Sequence, residues 1–140
     1  MDDLNQKIDE DNQNQITIAL IEDEPLLSNL LKQRLEKDNL KVIAIQDGAK
    51  ALDILKNQKV DLILLDIILP KVSGFEIMEK IQQDPTHKDV PIIIISNLGQ
   101  ESDVKKGESF GAVGYFVKAH VSIEELVGEI KSFIDNKLSK

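Results

Sequence analysis

The sequence has no cysteine and no tryptophan, and its 140 residues include only two histidines and one tyrosine. The absence of cysteine excludes disulfides, thiolate metal ligands and cysteine nucleophiles. Two histidines are too few for a His-rich metal centre, and they leave little room for a triad built on histidine. No Gly-x-Ser-x-Gly elbow is present either. These absences argue against a disulfide-stapled protein, a thiol-dependent enzyme and a triad hydrolase.

Long apolar runs and an excess of positive charge are also missing. No run approaches the ~20 apolar residues of a membrane-spanning helix, and the N-terminus lacks the basic-then-apolar pattern of a signal peptide. Lys and Arg total 17 against 25 Asp and Glu, which gives a net charge of −8. Such a chain repels nucleic-acid phosphates and anionic lipid. We therefore expect a cytoplasmic protein with no direct nucleic-acid partner and no membrane partner.

The first fifteen residues differ from the rest of the chain. They read MDDLNQKIDEDNQNQ, with five acidic residues and one lysine, so they carry half of the net charge. A segment this poor in apolar residues cannot offset the entropy lost on ordering. We expect residues 1–15 to be a disordered acidic tail and residues 16–138 to form one domain, a length typical of single domains.

Five short apolar runs alternate with five helical patterns after the tail. The runs are 16–21, 41–45, 60–65, 91–96 and 113–117. Pro25 suits a first helical position, Asp47 is a candidate helix cap, and the pairs Ser73–Glu76 and Ser122–Glu125 are typical of capping boxes. Strands that alternate with helices and are apolar on both faces indicate a parallel sheet covered on both sides. We predict an α/β fold with a doubly wound five-stranded parallel sheet, order 2-1-3-4-5, the flavodoxin-like (βα)5 arrangement.

Acidic residues follow two strands that this order makes neighbours. Glu22 and Asp23 come directly after the first strand, and Asp66 follows the third. Three carboxylates in one crevice repel one another unless a cation lies between them. Asp66 also interrupts the apolar run LILLDIILP, where a charge without a partner is costly. Oxygen ligands of this kind suit Mg²⁺, which is the cofactor that we predict.

A hydroxyl and a cation follow the other two strands at the same edge. Ser96 is the last residue of the fourth strand, and Lys118 follows the fifth. A carboxylate beside a metal site, a lysine and a hydroxyl suits the formation of an aspartyl phosphate. Asp66 would be the nucleophile, Lys118 would pair with a phosphoryl oxygen, and Ser96 would donate a hydrogen bond to another.

In its motifs the sequence resembles the receiver domains of two-component response regulators, of the chemotaxis-regulator type. The resemblance covers about residues 16–138. It rests on Glu22-Asp23, on Asp66 ahead of Leu69-Pro70 and Gly74, on Ser96, and on Tyr115 three residues before Lys118. Each motif is weak alone, but their order and spacing together are specific.

The resemblance implies roles for the site residues. Asp23 and Asp66 would bind Mg²⁺ through their carboxylates, Ile68 through its backbone carbonyl, and Glu22 indirectly. Tyr115 resembles the aromatic switch residue, and Ile68 and Asn97 stand where side chains flank the path of the hydrolytic water. One departure is Ala119, which follows Lys118 where the family usually has a proline. A cis bond there without proline would cost about 2.5–4 kcal/mol, so either that strain is retained or the loop is rebuilt.

These features predict a phosphoacceptor module rather than an enzyme acting on other molecules. A sensor histidine kinase or phosphotransfer protein would supply the phosphoryl group, and the face formed by the fourth helix, fifth strand and fifth helix would bind an unknown downstream protein. A phosphorylation-linked dimer is a further expectation. Two alternatives stay open: a phosphorylation-independent pseudo-receiver scaffold and, less favoured, a flavodoxin-like carrier, whose flavin phosphate the acidic run after the first strand would repel. We expect both histidines, His87 and His120, to be exposed in loops, and the chain to be either a stand-alone receiver or part of a longer protein.

Overall fold

The computed structural model describes residues 15–138, so the predicted acidic tail lies outside the described residues except for its last position. The strands are β1 (Thr17–Ile21), β2 (Lys41–Ile45), β3 (Leu62–Leu65), β4 (Ile92–Ser96) and β5 (Gly114–Val117). The helices are α1 (Pro25–Glu36), α2 (Ala51–Leu55), α3 (Gly74–Gln83), α4 (Glu101–Ser109) and α5 (Ile123–Phe133). Short 3₁₀ turns precede α2 (Gly48–Lys50) and follow β5 (Lys118–His120), and a π turn (Ile134–Leu138) extends α5. None of the helices in this described part has the length and apolarity needed to cross a bilayer.

The five strands form one parallel sheet in the order β2-β1-β3-β4-β5. This order confirms the predicted doubly wound, flavodoxin-like fold. Ile21 at the end of β1 is paired with Leu65 at the end of β3, and the Asp66 amide donates to the Ile21 carbonyl at 3.0 Å. The residues that follow β1 and β3 therefore start from the same point of the sheet edge.

Each face of the sheet packs against its own set of helices. One core layer combines Ala19 and Ile21 of β1 with buried side chains of α2 and α3. The other combines Ile18 and Leu20 with buried side chains of α1 and α5. Alternate residues of one strand enter opposite layers because strand side chains have a period of two. Burial of each such large side chain contributes roughly 1.5–3 kcal/mol, which explains why the strands are apolar throughout.

The helix caps agree with the sequence in part. Ser122 and Glu125 form the predicted capping box, with the Glu125 amide donating to the Ser122 hydroxyl at 3.1 Å. Ser73 caps α3 differently, because its hydroxyl accepts from the Phe75 amide at 3.2 Å rather than from the amide of Glu76. Asp47 caps the 3₁₀ turn ahead of α2 by accepting from the Ala49 amide at 3.0 Å. A second capping box, between residues 100 and 103 at the start of α4, was not predicted.

The prediction that His87 is exposed is wrong. Its side chain is buried, with 2% of the residue exposed. The ring lies between the carboxylate of Asp84 and the backbone carbonyl of Gln58, and it makes a hydrogen bond to each. Burial is tolerated because both polar atoms of the ring have partners. His120 is exposed, as predicted.

Candidate functional site

Three carboxylates meet at the carboxyl end of the sheet. Glu22, Asp23 and Asp66 each present an oxygen, and these oxygens all lie within 4.8 Å of one another. Glu22 and Asp66 are buried, with 2% and 4% exposed, whereas Asp23 is half-buried. They converge because β1 and β3 are paired neighbours and end in register. Carboxylates this close to one another are not all ionised at the same time unless a positive charge lies beside them.

Lys118 supplies that charge within the protein. Its ammonium Nζ lies 2.8 Å from Glu22 Oε1 and 2.8 Å from Asp66 Oδ2. The exposed carboxylate of Glu24 is farther, at 3.9 Å. The lysine side chain is 12% exposed, so its ion pairs with Glu22 and Asp66 are largely shielded from water.

The protonation of the site follows from burial and this ion pairing. Burial raises the pKa of Glu22 to about 7, since it outweighs the lowering by the hydrogen bonds from Lys118 and the Glu24 amide. Burial lowers the pKa of Lys118, but the hydrogen bonds to Asp66 and Glu22 raise it by more than burial lowers it. The pKa of Lys118 therefore lies above its ordinary value. Lys118 therefore keeps its charge at neutral pH.

The loop after β3 holds the Asp66 carboxylate in place. Asp66 Oδ1 accepts from the Ile68 amide at 3.1 Å, while Oδ2 accepts from Lys118. Gly74 closes the loop, because a Cβ there would lie 2.3 Å from the Asp66 carbonyl oxygen and 2.6 Å from the Ile67 Cα. A side chain at position 74 would collide with backbone atoms, which is why a glycine begins α3.

The carboxylates open onto a small cleft of about 150 Å³. Its lining residues are Asp23, Glu24, Asp66, Ile68, Asn97 and Lys118. Ile68 is 52% exposed and Asn97 is also exposed. The two residues predicted to flank the water path thus border the same opening as Asp66.

Ser96 and Tyr115 meet at the backbone of Leu98 rather than at Asp66. The buried Ser96 hydroxyl accepts from the Leu98 amide at 3.2 Å, and the Tyr115 hydroxyl donates to the Leu98 carbonyl at 2.5 Å. The Tyr115 ring is half-buried, and burial raises the pKa of its hydroxyl. The segment between β4 and α4 is therefore held by a side chain from each of β4 and β5.

The loop that carries Ala119 contains no cis bond. All peptide bonds in the described part of the chain are trans, and residues 118–120 form a 3₁₀ turn. Of the two alternatives raised by the missing proline, the loop takes the second and is rebuilt around a trans bond.

Sequence reasoning missed two features of the site. Glu24 lines the cleft, and a signal for it existed, since it continues the acidic run that begins at Glu22. The ion pair between Lys118 and Glu22 had no local signal, because the two residues follow strands that β3 and β4 separate. Only the length of the lysine side chain allows this contact.

The chain belongs to the response regulator receiver domain family, whose model matches residues 18–131. Receiver domains are the signalling modules of two-component systems, and they bind Mg²⁺ at an acidic pocket. The cluster of Glu22, Asp23 and Asp66 has the oxygen-only donor set that such an ion requires.

Two curated relatives show the same domain inside longer proteins. The phosphate regulon transcriptional regulatory protein PhoB of Rhizobium meliloti is 38% identical over 84% of this chain and 51% of its own length. A probable cyclic di-GMP phosphodiesterase of Vibrio cholerae is 33% identical over 90% of this chain but only 28% of its own length. The chain thus spans about half or less of these relatives, and the match carries over neither DNA binding nor phosphodiesterase activity.

Solved receiver structures have the same fold. The non-phosphorylated HemR receiver domain of Leptospira biflexa has a TM-score of 0.80 and 26% identity, over 90% of this chain and 98% of that chain. The phosphorylated cyanobacterial phytochrome response regulator RcpA has a TM-score of 0.77 and 28% identity, over 89% and 95%. The Mn(2+)-bound form of response regulator Rcp1 has a TM-score of 0.71 and 26% identity, over 86% and 92%.

Proposed function

We propose that this chain is a phosphoacceptor and that Asp66 receives a phosphoryl group from the phosphohistidine of a sensor histidine kinase or phosphotransfer protein. The observation that carries the proposal is the setting of Asp66. Its carboxylate is buried, lies 2.8 Å from the Lys118 ammonium, clusters with two further carboxylates and opens onto a cleft. The relative RcpA is phosphorylated in its solved structure, which supports the same chemistry here.

The chain's own residues position the phosphoryl transfer. One oxygen of Asp66 would form the new bond to phosphorus while the bond from phosphorus to the histidine nitrogen breaks, and the freed imidazole keeps the electron pair. The Ile68 amide holds Asp66 Oδ1 and so orients the carboxylate. Lys118 would exchange part of its contact with Asp66 for a phosphoryl oxygen, to which it offers a point charge.

The donor atoms at the cleft fit Mg²⁺. Asp23 and Asp66 would hold the ion through their carboxylates, Ile68 through its backbone carbonyl, and Glu22 through water. When bound, the ion would neutralise charge on the phosphoryl oxygens. The relative Rcp1 has been solved in an Mn(2+)-bound form, which supports the binding of a divalent cation by this chain.

Ser96 and Tyr115 would carry the signal away from Asp66. If the Ser96 side chain turns toward the phosphoryl group to donate to it, its oxygen moves away from the Leu98 amide from which it accepts. The carbonyl of Leu98 is the group that Tyr115 holds. The loop between β4 and α4 would then shift, and the surface of α4, β5 and α5 with it. A downstream protein, or a second phosphorylated copy, would bind that surface.

Phosphorylation by acetyl phosphate tests the proposal. With Mg²⁺ present, the wild-type chain should gain the mass of one phosphoryl group, whereas Asp66→Asn should gain none because an amide is a poor nucleophile. Asp53→Asn, which changes an exposed carboxylate on α2, is the matched control and should be labelled like the wild type. Undiminished labelling of Asp66→Asn would refute the assignment, and failure of the wild type to be labelled would favour the phosphorylation-independent scaffold.

A further inference from the structure

His87 is a buried titratable group at the end of the sheet opposite to Asp66. It lies in the segment that joins α3 to β4, and 3% of its side chain is exposed. The backbone around it is also ordered by hydrogen bonds, since its amide donates to the Asp84 carbonyl at 3.0 Å and its carbonyl accepts from the Val90 amide at 3.0 Å. The phosphoacceptor chemistry makes no use of this residue.

Both ring nitrogens of His87 face acceptors. Nδ1 lies 3.0 Å from Asp84 Oδ2, and Nε2 lies 2.9 Å from the backbone carbonyl oxygen of Gln58. A backbone carbonyl can only accept, and a neutral imidazole has a single N–H. The neutral ring therefore satisfies one of these contacts and sets a bare nitrogen against an oxygen in the other. Only the imidazolium donates to both.

The charges around the ring come from each element packed against it. They are Asp53 of α2, Lys56 and Lys59 of the segment between α2 and β3, Lys80 of α3, and Asp84, Lys88 and Asp89 of the segment before β4. Among the described residues, Asp84 is the charged group at hydrogen-bond distance from the imidazole. The lysines oppose protonation, but they are exposed, so water and salt screen them.

The direction of titration agrees with this geometry. Burial lowers the pKa of His87, but the hydrogen bonds to Asp84 and the Gln58 carbonyl raise it more, and the net shift is above the ordinary value. The hydrogen bond from His87 lowers the pKa of the Asp84 carboxyl in turn.

We propose that the His87 imidazolium is a pH-sensitive clamp that joins the segment before β3 to the segment before β4. These segments lead into the strands that end at Asp66 and Ser96, so the clamp holds the far ends of the two strands that carry the site. A backbone hydrogen bond from the Ile63 amide to the Pro91 carbonyl, at 3.0 Å, links the same strands independently. Loss of the proton leaves one of the two ring contacts unsatisfied, and so it weakens the clamp without separating the strands.

The sign of the pH effect follows from the upward shift. In the unfolded chain His87 titrates near the ordinary value of about 6.5. The clamp contributes fully to folding stability below that pH. This contribution is lost as the pH rises through the higher pKa that His87 has in the folded chain. Between the two values the folding equilibrium constant should fall as the pH rises, by at most tenfold per pH unit from this residue alone.

Nitrogen-edited NMR of the ring nitrogens of the wild-type chain tests the proposal directly. At pH 6 both ring nitrogens of His87 should be protonated, and the ring should lose its proton at a higher pH than it does in the urea-unfolded chain. A neutral ring at pH 6, or a midpoint at or below that of the unfolded chain, would overturn the proposal. This measurement needs no variant to fold.

Urea unfolding of variants supplies the second arm. His87→Gln should be less stable than the wild type at pH 6, and the difference should shrink as the pH is raised toward 9. His120→Gln, which removes the exposed imidazole, should retain the wild-type pH dependence. A His87→Gln deficit that is the same at pH 6 and pH 9 would show that the ring acts by packing alone and would refute the clamp.

Discussion

Lys118 and the three carboxylates leave an excess of negative charge at one point of the sheet. Lys118 contacts the two buried carboxylates, of Glu22 and Asp66, and Asp23 lies beside them without an ion pair to that lysine. Charges buried without compensation are costly. One further cation would therefore stabilise this cluster of carboxylates. Asp23, which is the most accessible of the three, is the group that a cation arriving from solvent would meet first.

Asp23→Ala should therefore lose most of the affinity for Mg²⁺ and remain folded. The substitution removes one of the two proposed carboxylate ligands, and it also relieves repulsion with Glu22 and Asp66, which offsets the lost contacts. Calorimetric titration with Mg²⁺ measures the affinity, and Asp53→Ala, on the exposed face of α2, is the control. Unchanged Mg²⁺ binding by Asp23→Ala would contradict the assignment of this ligand.

Helices α4 and α5 each contain one interior glycine, and the two glycines have opposite surroundings. A Cβ at Gly107 of α4 would lie 2.8 Å from Ile94 Cδ1 and 3.0 Å from Tyr115 Cδ2. A Cβ at Gly128 of α5 would meet nothing within 4 Å. Glycine in a helix costs roughly 0.5–1 kcal/mol relative to alanine. The glycine at position 107 is unfavourable for the helix, but it allows α4 to pack closely on Tyr115.

The same substitution should consequently have opposite effects on the two helices. Gly128→Ala should raise the free energy of unfolding by about 0.5–1 kcal/mol. Gly107→Ala should lower it by about 1–3 kcal/mol, the usual range for overpacking a core, because the new methyl group presses on the Tyr115 ring. Urea denaturation of both variants provides the comparison. A gain in stability for Gly107→Ala would show that Tyr115 has room to move aside at no cost.

Local patterns predicted the elements because the central strands β1, β3 and β4 are buried along almost their whole length and each helix is buried on one face. The runs of leucine, isoleucine and valine needed no tertiary information. The handedness rule left only a few strand orders, and the resemblance to receiver domains supported the choice among them. The same logic grouped Glu22, Asp23 and Asp66. Local patterns could not predict contacts that a long side chain makes with residues far away in the sequence. Examples are the bond of Tyr115 to the Leu98 carbonyl and the burial of His87 against a carbonyl nearly thirty residues away.

At the scale of the whole molecule, the described contacts lead from the cleft to one face. Lys118 directly follows β5, Tyr115 lies within it, and the Tyr115 ring packs on Gly107 of α4. A group bound at Asp66 shifts this face only if its contacts with Lys118 and Ser96 differ between two arrangements of the face. Only such differential contacts move a conformational equilibrium.

Phosphorylation should accordingly alter amide hydrogen exchange in α4, β5 and the start of α5. The comparison is between wild-type chain treated with acetyl phosphate and Mg²⁺ and the Asp66→Asn variant treated in the same way. The loop around Leu98 should change most, since Ser96 and Tyr115 both hold it. Changes confined to α1 and α2 would place the output on another surface.

The lifetime of the phosphorylated state depends on how water reaches the phosphorus atom. Ile68 and Asn97 border the opening of the cleft. An apolar Ile68 cannot hydrogen-bond a water into line, and we expect the bulk of Asn97 to narrow the approach, so the phosphoryl group should be lost slowly. Ile68→Asn and Asn97→Ala should each speed that loss, whereas Val113→Asn, an equally exposed apolar position at the far end of β5, should leave it unchanged. The measurement is the decay of the phosphorylated mass after removal of acetyl phosphate. Equal decay rates in all four proteins would mean that these side chains do not control access of water.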